Sequence, residues 1–193
     1  MANRAYLYTA SKNLTNLKDV SETRSEVSLA YKILLGIETT QSDSLIWDNP
    51  HQIAIYANFE LGLKRLNDFY EYLKTQEFID FEKISEYQKT TADFFITYPE
   101  RKSDLFFMEA GEAYALVLTE NWTLDKESEY TFLLIKQISS HIEEILETRP
   151  TNLFDHSEKY KWLSEIIENL DCLNPYWTSV TYFSFNKTDE NKV

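Results

Sequence analysis

One stretch constrains the fold more than any other: Gln52-Ile-Ala-Ile-Tyr-Ala57, then Asn58, then Phe59, Leu63, Leu66, Tyr70 and Leu73. Ile53 and Ile55 alternate as on one face of a strand, whereas the apolar residues after Asn58 recur every three or four positions, as on one face of a helix. Asn58 suits the junction because its side-chain oxygen can accept from a free amide of the first helical turn. A chain that changes period within a few residues must bury a strand and a helix in the same core, which points to a mixed α/β composition.

The rest of the chain extends that pattern. Arg4-Ala-Tyr-Leu-Tyr-Thr9 is rich in β-formers and reads as a first strand, followed by a polar loop over about residues 10–22. Thr23-Arg-Ser-Glu26 has capping-box spacing ahead of Val27, Ala30, Tyr31 and Leu34, and Gly36 closes that helix. A further helix is expected from Asp80 through Ile84, Tyr87 and Phe94 towards Tyr98, where Pro99 disfavours continuation. Over residues 104–119 a short strand before Gly111 and one continuous helix both fit, with helix from about Glu109 the preferred reading. Residues 126–148 carry Leu134, Ile135, Ile138, Ile142, Ile145 and Leu146 on one broad face ahead of Pro150, the longest helix expected. Asp155-His-Ser-Glu158 repeats the capping-box spacing before Tyr160, Leu163, Ile166, Ile167 and Leu170, and Tyr176–Phe185 reads as a long final strand.

These elements describe an α+β fold, mostly helical, with a small sheet made from the N-terminal strand, the strand near 52–57 and the C-terminal strand. With three glycines, four prolines and no linker-like stretch, residues 1–193 are expected to form one domain ending in a frayed polar tail at 186–193. The 43% apolar residues suffice to fill one interior, and the lone Cys172 excludes an intramolecular disulfide. The N-terminus lacks the apolar core of a signal peptide, so the expected location is the cytoplasm.

The opening Met1-Ala-Asn-Arg-Ala-Tyr-Leu-Tyr8 resembles the start of an uncharacterised bacterial family of unknown function, whose members begin with an Asn-Arg-x-Tyr-Leu-Tyr run. The Trp47-Asp48 pair ahead of the second strand is compatible with it. The resemblance implies a bacterial cytosolic protein and a strand at the N-terminus, and no activity, cofactor or catalytic residue.

Charge narrows the partners. The formal net charge is −13, and residues 60–193 hold fourteen basic against twenty-six acidic side chains. Phosphate backbones and anionic membranes both select for basic surfaces, so neither nucleic acid nor membrane is expected as a partner, whereas a basic protein is compatible.

The chemistry-bearing motifs are few. No Walker loop, dinucleotide fingerprint, nucleophile elbow or His-Glu-x-x-His is present, and no cofactor, metal site or catalytic residue is assigned. His141 and Glu144, three apart on a helix, read as a solvated or locally paired histidine rather than half of a metal site. Cys172 beside Asp171 reads as an inert thiol. Glu109 and Glu112, in an otherwise apolar segment, are the best candidates for carboxylates facing a cleft. Trp47, with Asp48, and Trp122 fall in expected loops, where a tryptophan suggests contact with a partner. Glu143 and Glu147, one helical turn apart, form a local acidic patch.

The expectation is a non-catalytic acidic binding protein working through protein–protein contact, an immunity-type or antitoxin-type inhibitor of a basic partner being one form. The alternative is a hydrolase-like enzyme using carboxylates such as Glu109 and Glu112. A deep pocket with convergent ionisable groups would favour the enzyme, and an acidic surface the binder.

Overall fold

A computed structural model describes residues 3–46 and 52–185, so Trp47, Asp48, His51 and the tail at 186–193 lie outside the described residues. The strand-to-helix junction forms as its period requires. Strand β4 (Ala54–Asn58) runs directly into a helix (Phe59–Leu73), and the Asn58 side chain accepts from the Leu61 amide at 3.1 Å. In chain order the strands are β1 (Arg4–Ala10), β2 (Lys18–Arg24), β3 (Thr40–Ser42), β4 and β5 (Leu105–Glu109). They form one antiparallel sheet in the order β2-β1-β5-β4-β3. The helices are α1 (Leu29–Leu34), α2 (Phe59–Leu73), α3 (Phe81–Thr97), α4 (Gly111–Tyr114), α5 (Leu124–Thr148) and α6 (Leu163–Glu168). This is an α+β fold, as expected.

Because side chains alternate across a strand, the sheet has two different faces. Ala5, Leu7, Ile55, Ala57, Phe106 and Met108 belong to the main core with the helices, while Tyr6, Tyr8, Ala10, Ala54 and Phe107 form a second cluster on the opposite face. Leu66 of α2 and Ile138 of α5 are fully buried in the main core, where the helical stripes place them. Helices α1 and α2 cross so closely that a Cβ at Gly62 would overlap the Leu34 carbonyl oxygen.

Several expectations are corrected. The supposed loop at 10–22 contains most of β2, which pairs with β1 over the register Arg4↔Arg24 to Thr9↔Lys18. Its Lys-Asp-Val-Ser-Glu-Thr-Arg sequence hides it, because Val20 is its one buried apolar side chain and hydrogen bonds hold other buried groups: the Tyr31 hydroxyl donates to Ser21 Oγ at 2.6 Å, and Thr23 Oγ1 donates to the Glu26 carbonyl at 2.8 Å. Thr23 is therefore a strand residue and no cap. Helix α1 starts at Leu29, with Ser28 accepting from the Tyr31 amide at 3.3 Å.

Residues 104–119 are neither a continuous helix nor helix from Glu109, but central strand β5 followed by the short α4. Asp155–Glu158 caps no long helix. A 3-10 turn at Leu153–His156 is capped by Asn152, which accepts from the Phe154 amide at 3.1 Å, and α6 begins only at Leu163.

The run Tyr176–Phe185 contributes no strand to the sheet. Trp177 makes one isolated bridge to Ser21, and the Thr178 amide donates to the Val20 carbonyl at 2.9 Å. Its aromatic content serves two faces instead of one ladder. The Trp177 ring stacks on Phe94 and meets Phe95 and Phe106 in the main core, while Phe185 meets Tyr8 and Phe183 meets Tyr6 on the opposite face. The segment thus wraps the β2 edge of the sheet. Left-handed backbone at Tyr176 (φ 52°) turns it out of strand geometry directly after Pro175.

Among the described residues, no helix is long and apolar enough to cross a membrane.

Candidate functional site

Glu109 is the last residue of β5 and is fully buried. Its carboxylate accepts from Ser44 Oγ at 3.0 and 3.1 Å and from the Leu45 amide at 2.5 Å, so the 44–46 segment folds over it. Burial pushes its pKa up to about 7, against the downward pull of the Leu45 amide, the Ser44 hydroxyl and the Ile46 amide. Glu112, in α4, instead accepts from the Arg4 amide at 3.2 Å and the Tyr6 hydroxyl at 3.1 Å. The two carboxylates share no hydrogen-bond partner among the described residues, and neither lines the shallow groove, the acidic cleft or the apolar groove described below.

The other sequence candidates separate in space. Glu143 and Glu147 line a shallow groove of about 380 Å3 together with Lys64, Arg65 and Asp68. Lys64 pairs with Asp68 at 2.5 Å, and Arg65 donates to Ser139 O at 2.8 Å and Ser139 Oγ at 2.6 Å. The two cations offset much of the local negative charge, so this patch is less acidic than the α5 sequence suggests. Trp122 is 36% exposed; its indole N–H donates to Glu127 at 2.5 Å and its ring meets Tyr130 edge-on. Trp47 and Asp48 lie outside the described residues.

His141 is locally partnered, with Trp162 Nε1 placed 3.1 Å from its Nδ1, and burial lowers its pKa. The Cys172 thiol is pushed up to about 12 by burial and then by Glu165, so it stays protonated near neutral pH and is a poor nucleophile.

A further concave feature lies where no single segment announces it. A cleft of about 700 Å3 runs between β2, α1 and the stretch formed by α6 and the 3-10 turn Leu170–Leu173. Five carboxylates, Glu22, Glu26, Glu165, Glu168 and Asp171, line it against two cations, Arg24 and Lys32. Glu165 pairs with Lys32 at 3.3 Å, Asp171 with Lys83 at 2.6 Å, and Glu22 with Arg4. Glu26 and Glu168 have no ion-pair partner among the described residues. With Arg4 and Lys83 counted, five carboxylates meet four cations, so the negative excess of this concave surface is small and rests on Glu26 and Glu168, where it attracts the opposite charge.

On the other side of α6 lies an apolar groove of about 440 Å3, lined by Phe78, Ile79, Phe154, Ile166, Ile167 and Leu170, with Asp80 at its edge. Sequence reasoning missed both features because their walls come from segments far apart in the chain. One local signal points to the groove: Phe78 stands between Glu77 and Ile79-Asp80 at a helix connection, where burial in the core has no periodic support.

Comparison with known proteins adds a family and no activity. No curated protein and no solved structure matches the chain. A family model does match, from within β1 to just beyond the end of α5, and with about three quarters of the sequence inside residues 6–151 the chain belongs to the family defined by a domain of unknown function, DUF7822.

Proposed function

We propose that this chain is a non-catalytic binding protein that receives a basic protein partner in its acid-lined cleft. The observation that carries the reading is that two of the cleft's carboxylates, Glu26 and Glu168, have no ion-pair partner among the described residues, in a chain of net charge −13. Unpaired carboxylates at the rim of a cleft lose little on meeting a Lys or Arg, because each still gains a charge-assisted hydrogen bond. An immunity-type or antitoxin-type inhibitor of a basic enzyme, acting in the bacterial cytoplasm, is one specific form of this role. The specific observation favouring an enzyme is Glu109, whose pKa of about 7 suits general acid–base work, yet its oxygens are occupied by the 44–46 segment.

The test begins with pull-down from the native host and mass spectrometry to identify the partner, followed by stopped-flow association across a salt series. The on-rate is expected to fall about tenfold or more between low salt and about 0.5 M, because screening shortens the reach of the field to a few ångströms. Glu26→Lys with Glu168→Lys should slow association at low salt and flatten the salt dependence, with Tm nearly unchanged since both side chains are exposed. An on-rate indifferent to salt and to this double reversal refutes the reading, and substrate turnover abolished by Glu109→Gln would replace it with the enzyme.

A further inference from the structure

The ridge formed by α6 and the turn at Leu170–Leu173 has two chemically distinct sides. Glu165, Glu168 and Asp171 face the acid-lined cleft, and Ile166, Ile167 and Leu170 face the apolar groove. The groove's far wall is the connection between α2 and α3, where Phe78 is 74% exposed, and on the near side Ile167 is 60% exposed. Two large apolar side chains held open to water across a concave surface gain little from folding, whereas covering them on association removes apolar area from solvent. The Phe78 backbone is held at both ends: the Ile79 amide donates to the Gln76 carbonyl at 3.2 Å, and Gln76 Oε1 accepts from the Leu153 amide at 2.8 Å, which ties this connection to the other wall. The groove is therefore preformed.

We infer that groove and cleft together form one docking surface, and that its occupant is an amphipathic segment of a basic protein, with bulky apolar side chains seated against Phe78 and Ile167 and Lys or Arg side chains reaching over the ridge to Glu168 and Glu26. This deepens the binding role proposed above and rests on it. Charge complementarity selects the occupant. A second copy of the chain would bring its own −13 against these carboxylates, and an anionic segment would meet the same repulsion. Spacing sets its form: on the ridge the apolar residues 166, 167 and 170 and the acidic residues 165 and 168 interleave over about one and a half turns, from α6 into the 3-10 turn. The complementary partner thus needs apolar and cationic groups about one turn apart, the arrangement an amphipathic helix supplies. The ridge lies beyond residue 151, so this side of the surface belongs to the part of the chain outside the matched family region.

A synthetic, fluorescein-labelled peptide of about 18 residues with a Leu face and a Lys face tests this by anisotropy against the full chain, alongside a Leu/Glu peptide and a Ser/Lys peptide. The Leu/Lys peptide is expected to bind, with the other two weaker by about tenfold or more. Phe78→Ser with Ile167→Ser should raise the Kd of the Leu/Lys peptide by about tenfold while leaving the salt slope unchanged, and Glu26→Lys with Glu168→Lys should flatten that slope. Circular dichroism checks that each variant folds, which their exposed positions favour. Binding unaffected by the groove pair but weakened by the cleft pair overturns the joint surface and leaves the acidic binding role standing. Indifference to both pairs removes both readings. A concentration-dependent dimer in sedimentation, lost in the groove pair, overturns the inference in favour of a second copy.

Discussion

Glu109 should make the stability of this protein fall as pH rises from about 4.5 towards neutrality, the reverse of what a salt-bridged carboxylate does. Its folded-state pKa stands at about 7, raised from 4.5 by burial. Below about 4.5 the carboxyl is protonated whether the chain is folded or unfolded, and contributes no pH dependence. Between 4.5 and 7 the unfolded chain releases this proton while the folded chain keeps it, so each pH unit removes about 1.4 kcal/mol of stability. The total loss, complete above about pH 7, is about 3 kcal/mol. Other carboxylates titrate over part of the same range, so the reading must be a difference. In Glu109→Gln the group stays neutral, and Ser44 and Leu45 retain an acceptor in the amide oxygen.

The assay is urea unfolding followed by far-UV circular dichroism at intervals from about pH 4 to about 8.5, wild type against Glu109→Gln. Any fixed cost of fitting the amide NH2 group appears at the acid end and is subtracted. The variant should then gain on wild type progressively from about pH 4.5 and lead by about 3 kcal/mol at about pH 8. Curves that stay parallel across this range would contradict this expectation, because they would mean that Glu109 ionises in the folded protein as readily as in water. A carboxyl carbon resonance of Glu109 titrating near 4.5 would lead to the same conclusion.

Two further predictions concern packing. Leu66→Ala and Ile138→Ala, both at fully buried positions, should each cost about 2–5 kcal/mol in urea unfolding, and midpoints within error of wild type would show that these faces are not core. Gly62→Ala should destabilise by about 1–3 kcal/mol even though alanine gains about 1 kcal/mol in helix propensity, because the overlapped atom is the Leu34 backbone oxygen, which cannot swing aside; an unchanged or raised Tm would contradict the α1–α2 contact.

Periodic segments are legible in the chain itself. Strand β4, Asn58 and helix α2 fall within a residue or two of where alternation and the cap place them, as do β1, the Asp80 cap of α3 and the long α5. In each, the local pattern and the tertiary environment make the same demand, since one buried face repeats at the element's own period. Glu109 stands out in the sequence as a carboxylate among Phe107, Met108 and Ala110, but the sequence points to a cleft, whereas the side chain is buried beneath the 44–46 segment.

Local pattern is therefore enough for the mixed α+β class, for the elements whose apolar period is their own, and for the excess of negative charge, because these depend on residues close together in the chain. The remainder comes from contacts between distant segments. Strand β2 is held by polar side chains whose partners lie elsewhere, and the run from Tyr176 wraps the sheet edge because its aromatics find pockets on both faces. The same holds for the candidate site. Glu143 and Glu147 look acidic in sequence, but Lys64 and Arg65 of α2 sit beside them, whereas Glu26 and Glu168, far apart in the chain, line one cleft only because the Leu170–Leu173 turn packs against α1. Charge is written residue by residue, but the field that a partner meets is set by which charges folding brings together and which of them it leaves unpaired.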